Sequence, residues 1–196
     1  MRIISGSLKG LRLPLHARAQ TRPTSERVRE ALFSVLGNHV RGIRALDLFA
    51  GSGSLGLEAL SRGAKSIVFV EKDKRLVKNL VEFSRHNKLI DEVEVLNMDA
   101  DQALSVLASR KDQFDAIFLD PPYDSDWIVR LFSNSSFIKL LSPNGLLIIE
   151  RFKINGEVEN FQEVGLEKTF FRNYGSSVVE IFASIRSESK SNLESN

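Results

Sequence analysis

An α/β fold built on a mostly parallel, doubly wound sheet is predicted by three features of these 196 residues. From Ile43 to Glu150, short apolar runs alternate with amphipathic helical stretches, the pattern of βαβ units lying in one sheet. The runs are continuously apolar, as strands covered on both faces are. Two later segments, EKTFFRNY and SVVEIFAS, flank Gly175-Ser176. That is a hairpin signal, so the last two strands are expected to be antiparallel.

The elements follow in order. RII and LRLPL, either side of Ser5-Gly6-Ser7 and Gly10, read as two short strands and a turn. Residues 16–23 are a polar, basic connector. Pro23-Thr24 opens a helix with Thr24 as N-cap. Val28, Ala31, Leu32, Val35 and Leu36 form its apolar stripe, which leaves Arg27 and Arg29 facing water or a ligand. IRALDLF, SIVFVE, VEVLN, FDAIFLD and LLIIE are the next five strands. Helices are expected around Leu55–Leu60, over Asp73–Asn87, over 101–110 and from Trp127 to Leu141, the last stopping at Ser142-Pro143-Asn144-Gly145. The expected division is a basic extension over 1–40 (hairpin plus helix), a seven-stranded domain over 41–185 and a disordered Ser/Asn/Glu/Lys-rich tail over 186–196.

Composition excludes several chemistries. There is no cysteine, hence no disulfide, thiolate metal site or cysteine nucleophile. His16, His39 and His86 stand in no metal-ligand spacing, and no metal is expected. The N-terminus lacks a signal-peptide core, and no apolar run approaches the roughly 18 residues of a membrane span. The expected location is cytoplasmic. Residues 1–44 hold nine Lys/Arg against Glu26 and Glu30, a net +7, so the remaining 152 residues carry −5. That asymmetry suggests a polyanionic partner.

The turn after the first of the five strands reads Asp47-Leu-Phe-Ala50-Gly51-Ser-Gly53-Ser-Leu-Gly56. Its GxGxxG lets a ligand approach the backbone. Glu71, ending the next strand, is placed to bind ribose hydroxyls. Both features also fit NAD. Asp47 discriminates, because an acid before the loop repels a pyrophosphate but holds the ammonium of S-adenosylmethionine, while loop amides serve its carboxylate. Asp99 can accept from the adenine amino group and the Ala100 amide can reach a ring nitrogen, although Asp99 is equally placed to cap a helix. Ala50, Gly51, Gly53 and Lys72 complete the expected cofactor set.

Asp120-Pro121-Pro122-Tyr123 ends the fourth of these strands and faces the same crevice. Its chemistry fits an exocyclic amino group on a base. The Asp120 carboxylate and the Pro121 carbonyl can accept both amino hydrogens and favour a pyramidal nitrogen. Pro122 stiffens the backbone and Tyr123 can stack on the base. Glu150-Arg151 reads as an ordinary ion pair, and Phe170 and Phe171 as packing residues. Competing readings are an adenine-N6 methyltransferase, a non-catalytic RNA-binding assembly factor and a nicotinamide oxidoreductase.

MRIISGSLKG, TRPTSERVREALF (21–33), LDLFAGSGSLGLEALSRGA (46–64), VFVEKD (68–73), FDAIFLDPPY (114–123) and RNYG (172–175) together resemble the bacterial RsmD family of guanine-N2 methyltransferases acting on small-subunit ribosomal RNA. The resemblance spans about residues 1–184. It implies a Rossmann-like class I methyltransferase fold, S-adenosylmethionine, and a guanine in 16S rRNA presented by an assembled small subunit or an intermediate; separately, a monomer is expected. The RNA-facing candidates are Lys9, Arg12, Arg22, Thr24 and Arg27.

Overall fold

A computed structural model describes residues 1–13, 26–122, 127–152 and 165–185. The described strands make one seven-stranded sheet of order β3-β2-β1-β4-β5-β7-β6. They are β1 Arg44–Asp47, β2 Ser66–Val70, β3 Val93–Leu96, β4 Phe114–Leu119, β5 Leu141–Phe152, β6 Leu166–Tyr174 and β7 Ser177–Ser184. β1 to β5 run parallel, and β7 pairs antiparallel with both β5 and β6. This is the expected Rossmann-like arrangement, with the strand order reversing between β1 and β4.

Alternation along each strand divides the core. Ala45, Phe69, Phe118 and Ile148 face one side and Leu46, Val70, Leu119 and Ile149 the other. The first side is covered by α1 (Glu26–Leu36), α2 (Ser54–Ser61) and α3 (Lys74–His86). The second is covered by α4 (Ala100–Ser109), α5 (Trp127–Phe132) and α6 (Ser135–Lys139). Asp73 caps α3 through the Arg75 amide, so the helix starts one residue later than its sequence pattern suggests.

Residues 1–13 fold back on themselves as an antiparallel pair: Arg2 bridges Arg12, Ile3 N donates to Leu11 O at 3.0 Å and Leu13 N to Met1 O at 3.2 Å, while residues 14 and 15 of the expected second strand lie outside the described residues. The amides of Ile4, Ser5, Ser7 and Leu8 bond to α2. Several expectations are corrected. Arg29 does not face water. It is 0% exposed, and the buried face of α1 is Val28, Arg29, Leu32, Phe33 and Leu36, with Val35 exposed. The charge is tolerated because Glu58 of α2 faces it.

β5 begins at Leu141, before the Ser142–Gly145 segment expected to separate helix from strand. Leu141 pairs with Phe114, and the register then jumps to Ala116–Leu146 across Asn144, whose φ is +62°. Those residues form an interruption within a strand rather than a stop before it. Glu150 and Arg151 are adjacent in β5, where neighbouring side chains point to opposite faces. Arg151 reaches Glu180 at 2.7 Å. Phe171 lies on the edge strand and is half exposed, with the Lys168 ammonium 5.6 Å from its ring.

Candidate functional site

The crevice at the carboxyl ends of β1, β2 and β4 is shaped first by glycine. The chain leaves β1 at Asp47 and turns through Leu48–Gly53 into α2. Gly53 precedes α2 at φ +74°, and a Cβ there would stand 2.5 Å from Leu80. A Cβ on Gly56 would collide with the Phe69 ring. These two glycines bring helix and sheet together. Gly51, at φ +56°, is different: a Cβ on it would meet nothing nearer than the Phe49 carbonyl at 4.0 Å. Its demand is conformational, and the space beside it is open.

The loop amides are largely committed within the protein. Ala50 N donates to Val70 O at 3.0 Å, Gly53 N to Ala50 O at 2.7 Å, Gly51 N to Glu71 Oε2 at 2.8 Å and Gly56 N to Asp47 Oδ2 at 3.2 Å. The amides of Ala50, Gly51 and Gly53, expected to serve a ligand carboxylate, are each paired within the protein. Those amides hold the loop's shape, and in the first turn of α2 Gly56 N is likewise taken by Asp47 and Leu57 N by the Gly53 carbonyl at 2.8 Å, which leaves the Ser54 and Leu55 amides at the helix start.

Asp47 is buried at 2% exposure. Burial pushes its pKa up to about 7, aided by the nearby Glu71 charge and opposed by the Gly56 and Phe49 amides. No arginine or lysine pairs with it among the described residues. A buried carboxylate held this close to neutrality fits a cation supplied by a ligand.

Glu71 follows β2 and is partly exposed. Each of its oxygens accepts one amide, from Gly51 and, at 2.8 Å, from Asp73. Each keeps a lone pair for ligand hydroxyls. Asn97, which the sequence reading left inside a strand, donates to the carbonyls of Glu71 at 3.0 Å and Lys72 at 3.2 Å, fixing the segment from the end of β3. An asparagine at a strand end two residues before Asp99 was the available signal. The Lys72 side chain is exposed. Asp99 caps α4 by accepting the Gln102 amide at 2.9 Å, and Ala100 is the buried first residue of that helix.

Asp120 follows β4, which lies beside β1 with Asp47 opposite Phe118. The two acids are thus at neighbouring strand ends at the switch point. Pro121 is buried and Pro122 exposed. Tyr123 lies outside the described residues, as do Arg22 and Thr24. Trp127, the first residue of α5, makes an edge contact with Phe49 of the glycine loop at 5.3 Å between ring centroids, and Arg130 stacks over it at 4.3 Å. An aromatic four residues beyond Tyr123 was the signal for this bridge.

Lys9, Arg12 and Arg27 are all exposed. Arg12 is bridged to Arg2, whose amide donates to Glu26 at the start of α1. Lys9 sits in the turn packed on Ser61, at the far end of α2 from the glycine loop. A recess of about 720 Å³, lined by Ser7, Ser34, Asn38, Arg41 and Arg62 among others, opens at that far end and is remote from Asp47 and Asp120. No cluster able to hold a metal occurs among the described residues.

A family model described as Conserved hypothetical protein 95 matches residues 1–183. The chain is 38% identical over 156 residues to Ribosomal RNA small subunit methyltransferase D of Haemophilus influenzae, covering 78% of this chain and 79% of that one. It is 38% identical over 183 residues to the Bacillus subtilis protein YlbH, covering 93% and 98%. The solved yhhF protein of Escherichia coli superposes with a TM-score of 0.77 at 29% identity, covering 94% of this chain and 97% of that one. The chain belongs to this family, the RsmD methyltransferases, and has their Rossmann-like class I fold.

Proposed function

We propose that this enzyme methylates the exocyclic N2 of a guanine in 16S rRNA, with S-adenosylmethionine as the methyl donor. The observation that carries the reading is the juxtaposition of Asp120-Pro121-Pro122 with the buried Asp47 at adjacent strand ends. The related proteins named as small-subunit rRNA methyltransferases supply the nucleic acid.

The donor supplies an electrophilic methyl group. Asp47 holds its ammonium, Glu71 the ribose hydroxyls and the first turn of α2 the carboxylate. Asp99 and Ala100 lie beside the adenine, with Lys72 at the rim. The Asp120 carboxylate and Pro121 carbonyl accept the two amino hydrogens of guanine. This orients the nitrogen lone pair, which in the free base is delocalised into the ring. Pro122 keeps that turn rigid, and Tyr123 stacks on the base.

Lys9, Arg12, Arg22, Thr24 and Arg27 are the RNA contacts in this reading. The substrate is a small-subunit particle, the enzyme acts as a cytoplasmic monomer, and residues 1–40 form an extension on a catalytic domain over 41–185. No described helix is long and apolar enough to cross a membrane.

The test is methylation of small subunits from cells lacking the enzyme, with mass mapping of the product. A methylguanine at N2 in 16S rRNA is expected, and a methyladenine would overturn the substrate assignment. Asp120→Ala is expected to lower kcat by at least about 10²-fold while leaving cofactor affinity within twofold. Weakened cofactor binding with normal turnover at saturation would move Asp120 out of the amine-binding role.

A further inference from the structure

We infer that Glu58 is a positioning residue for the RNA substrate, anchoring the N-terminal segment to α2, the same helix whose first turn borders the cofactor loop. The inference rests on the reading of Lys9, Arg12 and Arg27 as RNA contacts. Glu58 is 0% exposed in a helix otherwise packed by Leu55, Leu57, Ala59 and Leu60. A leucine would satisfy such packing, and a carboxylate buried there is costly unless its oxygens are used.

They are used on the N-terminal segment. Oε2 accepts the Ile4 amide at 2.8 Å, and Oε1 accepts the Ser5 amide at 3.1 Å and Arg62 Nε at 2.7 Å. Arg29 Nε stands 3.5 Å from Oε2, and the same guanidinium donates to the Arg2 carbonyl and to Met1 Sδ. One turn further along α2, Ser61 repeats the device. Its carbonyl accepts the Ser7 amide at 2.7 Å, its hydroxyl accepts the Leu8 amide at 3.0 Å, and the hydroxyl donates to the Ser5 carbonyl. Gly6 approaches so closely that a Cβ would collide with the Ser61 backbone.

The segment is therefore not a free basic arm. Its register on the body is set by Glu58 and Ser61, and these two residues determine where the backbone carrying Lys9 and Arg12 presents its charges. A segment that is docked only part of the time presents those charges correctly only part of the time, and apparent affinity falls by that fraction.

The experiment compares full-length Glu58→Gln, Ser61→Ala and Lys9→Ala/Arg12→Ala with wild type. Small subunits from cells lacking the enzyme are the substrate, with S-adenosylmethionine affinity measured by calorimetry and thermal melting run alongside. Ser61→Ala removes hydrogen bonds without touching the buried charges and decides the matter if Glu58→Gln does not fold. KM for the subunit is expected to rise about fivefold in Ser61→Ala and about tenfold or more in Glu58→Gln. kcat and cofactor affinity should stay within twofold. An unchanged KM in Ser61→Ala beside a raised KM in Lys9→Ala/Arg12→Ala overturns this inference alone. An unchanged KM in Lys9→Ala/Arg12→Ala overturns the RNA reading of the segment and this inference with it. Cofactor affinity falling in step with KM overturns it too, since α2 packing would then be the cause.

Discussion

Asp47 and Glu58 are buried carboxylates on the same side of the sheet, at 2% and 0% exposure, yet their surroundings are opposite. Glu58 has Arg29 and Arg62 beside it and two main-chain amides on its oxygens. Asp47 has amides from its own loop and no basic partner among the described residues. Glu58 is a closed site, with its charge balanced inside the protein. Asp47 is an open one, poised near neutrality until something positive arrives. Glu71 stands between them: its oxygens accept two amides but remain partly exposed. What separates these acids is the inventory of partners, not burial.

The largest expected effect tests the closed site. Glu58→Leu leaves Arg29 buried without its acid and should cost about 3–5 kcal/mol of stability, whereas Asp47→Asn should cost little at pH 8. Equal losses in thermal or denaturant melts would erase the distinction.

Glu71→Ala comes next. Losing hydrogen bonds to a charged acceptor should weaken S-adenosylmethionine and S-adenosylhomocysteine alike by about 1.5–3 kcal/mol, or roughly ten- to a hundredfold. Unchanged calorimetric affinity for both would move the ribose contact elsewhere.

Asp47 should show its openness in pH dependence. Its folded pKa, about 7, lies above the ordinary 3.8, so without ligand the folded state holds the proton more tightly than the unfolded one. Its contribution to stability is then full below pH 3.8 and is lost as pH rises to about 7. An ammonium ligand prefers the ionised form, so binding releases a proton, and cofactor affinity should rise by up to about tenfold per pH unit below 7. In Asp47→Asn that rise should vanish. A wild-type affinity flat from pH 5.5 to 7 would show that Asp47 meets no cation.

The smallest effect concerns the exposed arginines. Arg12→Ala and Arg27→Ala should each flatten the log–log salt dependence of RNA binding by about 0.7–0.9, leaving cofactor affinity untouched. A collapse of cofactor affinity with an unchanged slope would make the segment a cofactor cover.

Much of this was legible in the chain. Strand alternation, the parallel sheet and the closing hairpin follow from local periodicity and turn residues, and the structure has them. The glycine loop, Asp47, Glu71 and Asp120 were legible because strand ends in such a sheet converge on one crevice. Arg29 was misread because helical periodicity assigns a charge to the water side unless an acid waits inside, and that acid stands 29 residues away on another helix.

The sequence by itself determined the elements, their directions and the acids at the strand ends, because backbone preference and apolar period act within a few residues. Only the tertiary structure decided which loop amides were already spent, that Glu58 and Ser61 hold the N-terminal segment, and that no described basic side chain pairs with Asp47. Hydrogen bonding and desolvation depend on partners brought together from distant parts of the chain, and no local pattern records who those partners are.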